Sequence, residues 1–131
     1  MATETERAND RAKAQAHAQL EGIKELVTDL LNNDAADEYG QPASERIQED
    51  ALSVETRSDW GTPSREMEAV EYQILLCWGG PAVRIVGEIG DYGPDSAEIE
   101  YQDWMTPWTK LDIYGDDAAA VLNYAGQFYF N

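Results

Sequence analysis

Few side chains in this sequence are of a type that performs covalent or metal chemistry. There is one histidine, His17, and one cysteine, Cys77. A thiol and an imidazole from distant parts of a chain can form a nucleophilic pair. His17 lies in an alanine-rich stretch that reads as helix, and Glu21 is the only acid among its helical neighbours 13, 14, 20 and 21. Its expected state is an exposed helix residue. Cys77 lies in the apolar run Ile74-Leu75-Leu76-Cys77-Trp78, where a buried thiol behaves as a small, inert hydrophobe. One Cys and one His do not make a standard zinc site. The acidic turn from Asp91 to Asp95 lacks the ligand spacing of an EF-hand loop. No Gly-x-x-x-x-Gly-Lys-Ser/Thr loop occurs, and no helix is expected after Gly87-Glu88-Ile89-Gly90 to complete a nucleotide fingerprint. These residues point to a protein that is not an enzyme and needs no cofactor and no metal.

Carboxylates are the abundant chemical group. The chain carries 26 acidic and nine basic side chains, a formal net charge of −17. Residues 1–24 hold four of each sign, so the imbalance falls on residues 25–131, with 22 acids against five bases. A small domain needs a net charge of only about 2–8 for solubility. Direct nucleic-acid binding is disfavoured, because the basic footprint that displaces phosphate counterions is missing.

The elements that position these acids follow from periodicity. At 131 residues the chain fits one domain, and 43% hydrophobic content with four Trp and seven Tyr suits a packed core. Residues 3–33 read as a helix capped by Thr3 or Thr5. Its first half presents only alanines, a weak apolar face free to project or to pack on a partner. Leu20, Ile23, Val27, Leu30 and Leu31 dock its second half on the core. Residues 32–42 read as an acidic loop, and Ala43–Glu49 as a short helix started near Pro42.

From residue 51 the period changes to two. Strands are expected at Leu52–Arg57, Ala69–Trp78, Ala82–Ile89 and Ala97–Trp104. Leu52, Val54 and Thr56 should face the core in the first. Val70, Tyr72, Ile74 and Leu76 should do so in the second, Val83 and Ile85 in the third, and Ile99 and Tyr101 in the fourth. Gly79-Gly80-Pro81 and Asp91–Ser96 supply turns, so the strands form an antiparallel meander. A last helix runs from about Asp116 to Phe128. The expected architecture is a two-layer α+β domain over residues 1–131: a long N-terminal helix (1–33), a short helix, then a core of four-stranded sheet and C-terminal helix (51–130).

Asp59-Trp60-Gly61-Thr62-Pro63 and Asp103-Trp104-Met105-Thr106-Pro107 repeat the pattern Asp-Trp-x-Thr-Pro at strand ends. A repeated turn anchored by Trp and stopped by Pro accounts for it. The rival reading makes Trp60, Trp104 and Trp108 an aromatic recognition patch.

Placed on these strands, Glu55, Glu71, Glu88, Glu98 and Glu100 should share the outward sheet face. Asp91, Asp95, Asp112, Asp116 and Asp117 should extend the field from loops and the last helix. Alternate strand residues lie about 6.6 Å apart, a spacing of the same order as the phosphates of one DNA strand, about 3.4 Å. Such a surface would attract proteins built to hold nucleic acid, by pairing carboxylates with their Arg and Lys side chains. Acid-rich surfaces also serve solubility or salt adaptation alone, and the three lysines fit that too.

A resemblance bears on the choice. Leu52–Trp60, Gly79–Gly87, Glu100–Trp104 with Pro107-Trp108, and Tyr124–Phe130 resemble stretches of a group of small, uncharacterised phage and prophage proteins. The likeness spans residues 51–130 and carries no catalytic residue. In size and charge such proteins are similar to anti-CRISPR proteins that act as DNA mimics. The resemblance implies a phage antidefence inhibitor that binds a basic surface of a CRISPR effector complex. The alternative it leaves is a non-enzymatic phage accessory or assembly domain. The N-terminus lacks a signal-peptide pattern and no apolar run is long enough to span a bilayer. With one cysteine and no disulfide within the chain, the expected location is the host bacterial cytoplasm, away from membranes. Oligomeric state is left open.

Overall fold

The computed structural model describes residues 3–63, 67–103 and 106–130. The chain order is α1 (Glu4–Leu31), α2 (Ala43–Asp50), β1 (Ser53–Ser58), β2 (Ala69–Cys77), β3 (Ala82–Gly90), β4 (Gly93–Pro94), β5 (Glu98–Gln102), β6 (Thr109–Lys110) and α3 (Gly115–Ala125). The fold is α+β, with three helices on one side of an open antiparallel sheet. The sheet order is β1-β2-β3-β5-β6, and β4 pairs with β3.

The expected four strands are present, and two short ones join them. β4 extends the β3 hairpin by two residues, pairing Ile89 with Pro94 and Gly90 with Gly93. β6 adds Lys110 opposite Glu100 and Thr109 opposite Tyr101. A two-residue strand has no periodicity to read, so neither was visible in the sequence. Trp104, in the second Asp-Trp-x-Thr-Pro copy and at the expected end of the fourth strand, lies outside the described residues.

α1 begins where Thr3 Oγ1 accepts the Glu6 N–H at 3.1 Å. Its buried face is Ala8, Ala12, Ala16, Leu20, Ile23 and Val27, a spacing of three to four residues. The alanine half therefore neither projects nor waits for a partner, contrary to the sequence expectation. It packs against the rest of the chain, and Ala12 and Ala16 are fully buried in the same core cluster as Ile85 and Ile99. Small side chains let a helix approach closely, so a face that looks weak by hydropathy is a tight packing face. Arg11 then reaches Asp103, past the end of β5, at 3.6 Å.

The inward residues of β2, β3 and β5 behave as expected except Val70, which is only half-buried at the start of β2. Tyr72, Ile74, Leu76, Val83, Ile85, Ile99 and Tyr101 are buried with Val121, Tyr124 and Phe128. Fully burying such a side chain contributes about 1.5–3 kcal/mol. β1 departs from expectation: Leu52 is 62% exposed and Val54 36%. Val54 and Thr56 pair with Ile74 and Tyr72, so they share the helix side of the sheet. The helix layer stops short of this edge and leaves them uncovered.

Two glycines allow the chain after the β3–β4 hairpin to return across β3. A Cβ on Gly87 would sit 2.0 Å from the Ser96 carbonyl oxygen, and one on Gly90 would sit 2.1 Å from the Asp95 carboxylate. The close approach lets the Ser96 carbonyl accept the Tyr72 hydroxyl at 2.5 Å. Phe130 stacks on the Tyr72 ring at 4.6 Å and closes that corner.

Candidate interaction surfaces

The open side of the sheet is built from three cross-strand rows. One runs Ser53, Leu75, Arg84, Glu100, Lys110. The next runs Glu55, Gln73, Val86, Glu98. The third runs Arg57, Glu71, Glu88. Register thus brings all five strand carboxylates named from the sequence to one face. It also brings Arg57, Arg84 and Lys110 there, three of the five bases that follow residue 24.

Those bases engage the acids. Arg84 Nε donates to Glu100 Oε1 at 2.8 Å, and Nη1 donates to Gln73 at 2.6 Å. The guanidinium lies over the Trp108 ring, 4.0 Å from its centroid. Both partners of the Arg84–Glu100 pair are about four-fifths buried, with side chains 22% and 21% exposed. Lys110 bonds Glu98 at 2.9 Å, and this contact raises the lysine pKa. Arg57 bonds Glu71, which otherwise faces the like charge of Glu88. A hollow of about 350 Å³ above these groups is lined by Glu55, Arg57, Glu71, Gln73, Arg84 and Glu100. The open face is a partly compensated ionic lattice, with three of its five acids paired, and not a row of bare carboxylates.

The other named acids are dispersed. Asp91 is exposed at the hairpin apex, Asp95 lies over Gly90, and Asp112 is exposed after β6. Asp116 and Asp117 occupy the first turn of α3, where negative charge complements the helix dipole. Asp117 bonds Lys24 of α1 at 3.2 Å, the first cause of the raised Lys24 pKa. Four of the ten named acids, Glu71, Glu98, Glu100 and Asp117, are therefore ion-paired.

The denser negative region centres on the acidic loop expected at residues 32–42 and takes in the helix ends on either side of it. Residues 25–50, from the end of α1 through α2, hold eight acids and one base, Arg46. The turn out of α1 uses the left-handed conformation at Asn33 and Asp34, φ 54° and 55°, which Asn and Asp tolerate best among non-glycine residues. Asp34 then caps α2, accepting from Ser44 N at 2.7 Å and Ser44 Oγ at 2.7 Å. These bonds hold its carboxyl below the usual range. Asp37 accepts from Gln41 N and Tyr39 N, and the Gln41 bond is the main reason its pKa is lowered. Arg46 donates to Asp29 at 3.0 Å, the Ala35 carbonyl at 2.8 Å and the Gln41 carbonyl at 3.3 Å. Its charge is held inside the elbow. Glu25, Glu38, Glu45 and Glu49 are exposed and have no cationic partner among the described residues. Glu45 and Glu49 stand four apart and share a face of α2.

The residues with covalent chemistry remain apart. His17 is exposed on α1. Cys77 faces Gln15 and Gln19 on another side of that helix, and burial pushes its thiol pKa up. No group of three or more His, Cys, Asp or Glu among the described residues is placed to hold a metal ion. No helix there is long and apolar enough to cross a membrane.

In the second Asp-Trp-x-Thr-Pro copy, Asp103 and Thr106 bond each other. Asp103 N–H donates to Thr106 Oγ1 at 2.9 Å, and both Thr106 N and Oγ1 donate to the Asp103 carbonyl. In the first copy Trp60 is fully exposed. Trp108 is occupied under Arg84. Between the two copies the aspartates differ, Asp59 being exposed and Asp103 buried.

Comparison with protein-family models, curated proteins and solved structures finds no match to this chain.

Proposed function

We propose that this protein is a non-enzymatic acidic inhibitor that binds the basic, nucleic-acid-holding surface of a larger protein. The observation that carries the reading is the surplus of 22 acids over five bases after residue 24. Because the bases on the sheet and in the elbow are held in ion pairs, the surplus is presented to solvent by the remaining carboxylates. A field of this sign speeds encounter with a basic groove and competes with phosphate for its Arg and Lys side chains. The phage resemblance of residues 51–130 gives the reading its setting: an anti-CRISPR DNA mimic in the host bacterial cytoplasm, acting on a CRISPR effector complex.

The test is displacement of labelled target duplex from purified effector complexes of several types, at increasing salt. The expected result is loss of bound duplex at low salt, with potency falling as salt screens the contact. Failure to displace duplex from any of them at low salt would sink the proposal.

One observation favours a second reading, a phage accessory or assembly domain whose acidity serves solubility. Three of the five acids on the open sheet face are neutralised by pairing. Under that reading, changing Glu25, Glu38, Glu45 and Glu49 to Gln leaves function intact.

A further inference from the structure

The two edges of the sheet are finished differently. β6 is two residues long and offers almost nothing to pair with. β1 is six residues long, lies at the end of the sheet order and is exposed from Val54 to Ser58. An edge of this kind is a ready template for another strand. Large apolar side chains flank it: Leu52 is 62% exposed at one end and Trp60 fully exposed at the other. The helix side of the edge is also unobstructed, since Val54 and Thr56 point that way and are exposed.

We propose that β1 pairs antiparallel with β1 of a second copy of this chain, with Thr56 opposite Thr56 on a two-fold axis. The charges of the strand select this register. Self-pairing of an edge strand must match residues of the same parity, so that both strands turn the same backbone groups and faces to each other. With Glu55 on the axis, Glu55 meets Glu55. With Arg57 on the axis, Arg57 meets Arg57 and Glu55 meets Asp59. With Val54 on the axis, Glu55 meets Ser53 and Arg57 meets Ala51. With Ser58 on the axis, Arg57 meets Asp59 beyond the end of the strand, and Glu55 is left opposite Gly61. Only the Thr56 register sets Glu55 against Arg57, and symmetry makes that pair twice. Each Arg57 then lies between its own Glu71 and the Glu55 of the other copy, and Glu55, which has no cationic partner among the described residues of its own chain, gains one. The same register brings Leu52 of each strand level with Trp60 of the other, so the exposed apolar groups meet as well. The product is one continuous sheet with both helix layers on the same side.

The experiment is sedimentation equilibrium of the full chain over a range of concentrations, with charge variants. The wild type should be a reversible dimer. Glu55→Arg should weaken it roughly tenfold, because two symmetry-related attractions become repulsions. Joining Glu55→Arg with Arg57→Glu should recover most of it, because the symmetric pair is re-formed with its signs exchanged, less the ion pair to Glu71 that position 57 loses. A register readout guards against loss by misfolding. In a Cys77→Ser background, Thr56→Cys should oxidise to a covalent dimer across the axis, where paired Cα atoms are about 4.5–5.5 Å apart. Ser58→Cys in that background, opposite Val54, should not. A wild-type monomer throughout the range, a dimer indifferent to Glu55→Arg, or cross-linking at Ser58 as efficient as at Thr56 would each overturn the proposal. Displacement of DNA plays no part in these measurements, so the pairing and the inhibitor reading stand or fall separately.

Discussion

The open sheet face and the α1–α2 elbow are both acid-rich, and they handle that charge in opposite ways. The sheet strands set five acids among three bases, and each base takes one acid into an ion pair. The elbow has eight acids and one base, and that base bonds inward to Asp29 and two backbone carbonyls. Acid content therefore does not equal negative surface. What matters is whether a cation is positioned across a strand, or used up holding a turn.

The largest expected effect breaks the paired face. Arg84→Met should lower stability by about 2 kcal/mol, because it strands the part-buried Glu100 and removes the contact over Trp108. Denaturant unfolding measures this. A change near zero would mean that the lattice contributes nothing and the face is merely solvated.

Removing elbow charge comes next. With Glu25, Glu38, Glu45 and Glu49 changed to Gln, affinity for a basic partner should fall about tenfold at low salt, with little change in stability. Changing Glu71, Glu98 and Glu100 to Gln should do the reverse, costing stability more than affinity. A purified effector complex followed by anisotropy is the proper probe, and an inverted pattern would overturn the contrast between the regions.

Tyr124 joins the elbow to the last helix. Its buried hydroxyl donates to Asp50 at 2.6 Å, and burial first, then this bond, raises its pKa. Tyr124→Phe should cost about 1 kcal/mol, since Asp50 is exposed and recovers water. A larger loss would show that α2 depends on this bond for its docking.

Acid sharpens the comparison further. Asp34 and Asp37 have folded pKa values below their ordinary range. A depressed carboxyl contributes stability that is present above its unfolded pKa, about 3.9, and is lost as pH falls through the folded value. The elbow should therefore loosen below about pH 4. Asp34→Asn, which cannot titrate, should narrow the difference between melting temperatures at pH 7 and pH 3, and an unchanged difference would count against it.

The smallest effect expected is that of Arg57→Ala. Both partners are largely exposed, so the monomer's stability should change by less than about 0.5 kcal/mol.

Much of the fold was legible in the sequence. Alternation in Tyr72, Ile74 and Leu76 assigned the inward face of β2, because a strand facing a core on one side has no other solution. The threonines at 3 and 5 marked the start of α1 to within two residues, and the side-chain bond in the structure settles on Thr3. The charge surplus and its confinement beyond residue 24 also needed no coordinates, since both are counts along the chain.

Other features are long-range, and only the tertiary structure decided them. Which acids remain bare depends on strand register, and register placed Arg84 beside Glu100 and Lys110 within reach of Glu98. The exposure of Leu52 and Val54 depends on where the helix layer ends, which alternation within β1 cannot report. The burial of Ala12 and Ala16 depends on how closely a helix of small side chains approaches the core. The sequence determined how much negative charge this protein carries. Folding determined where it is left uncompensated, because an ion pair requires two side chains to meet in space.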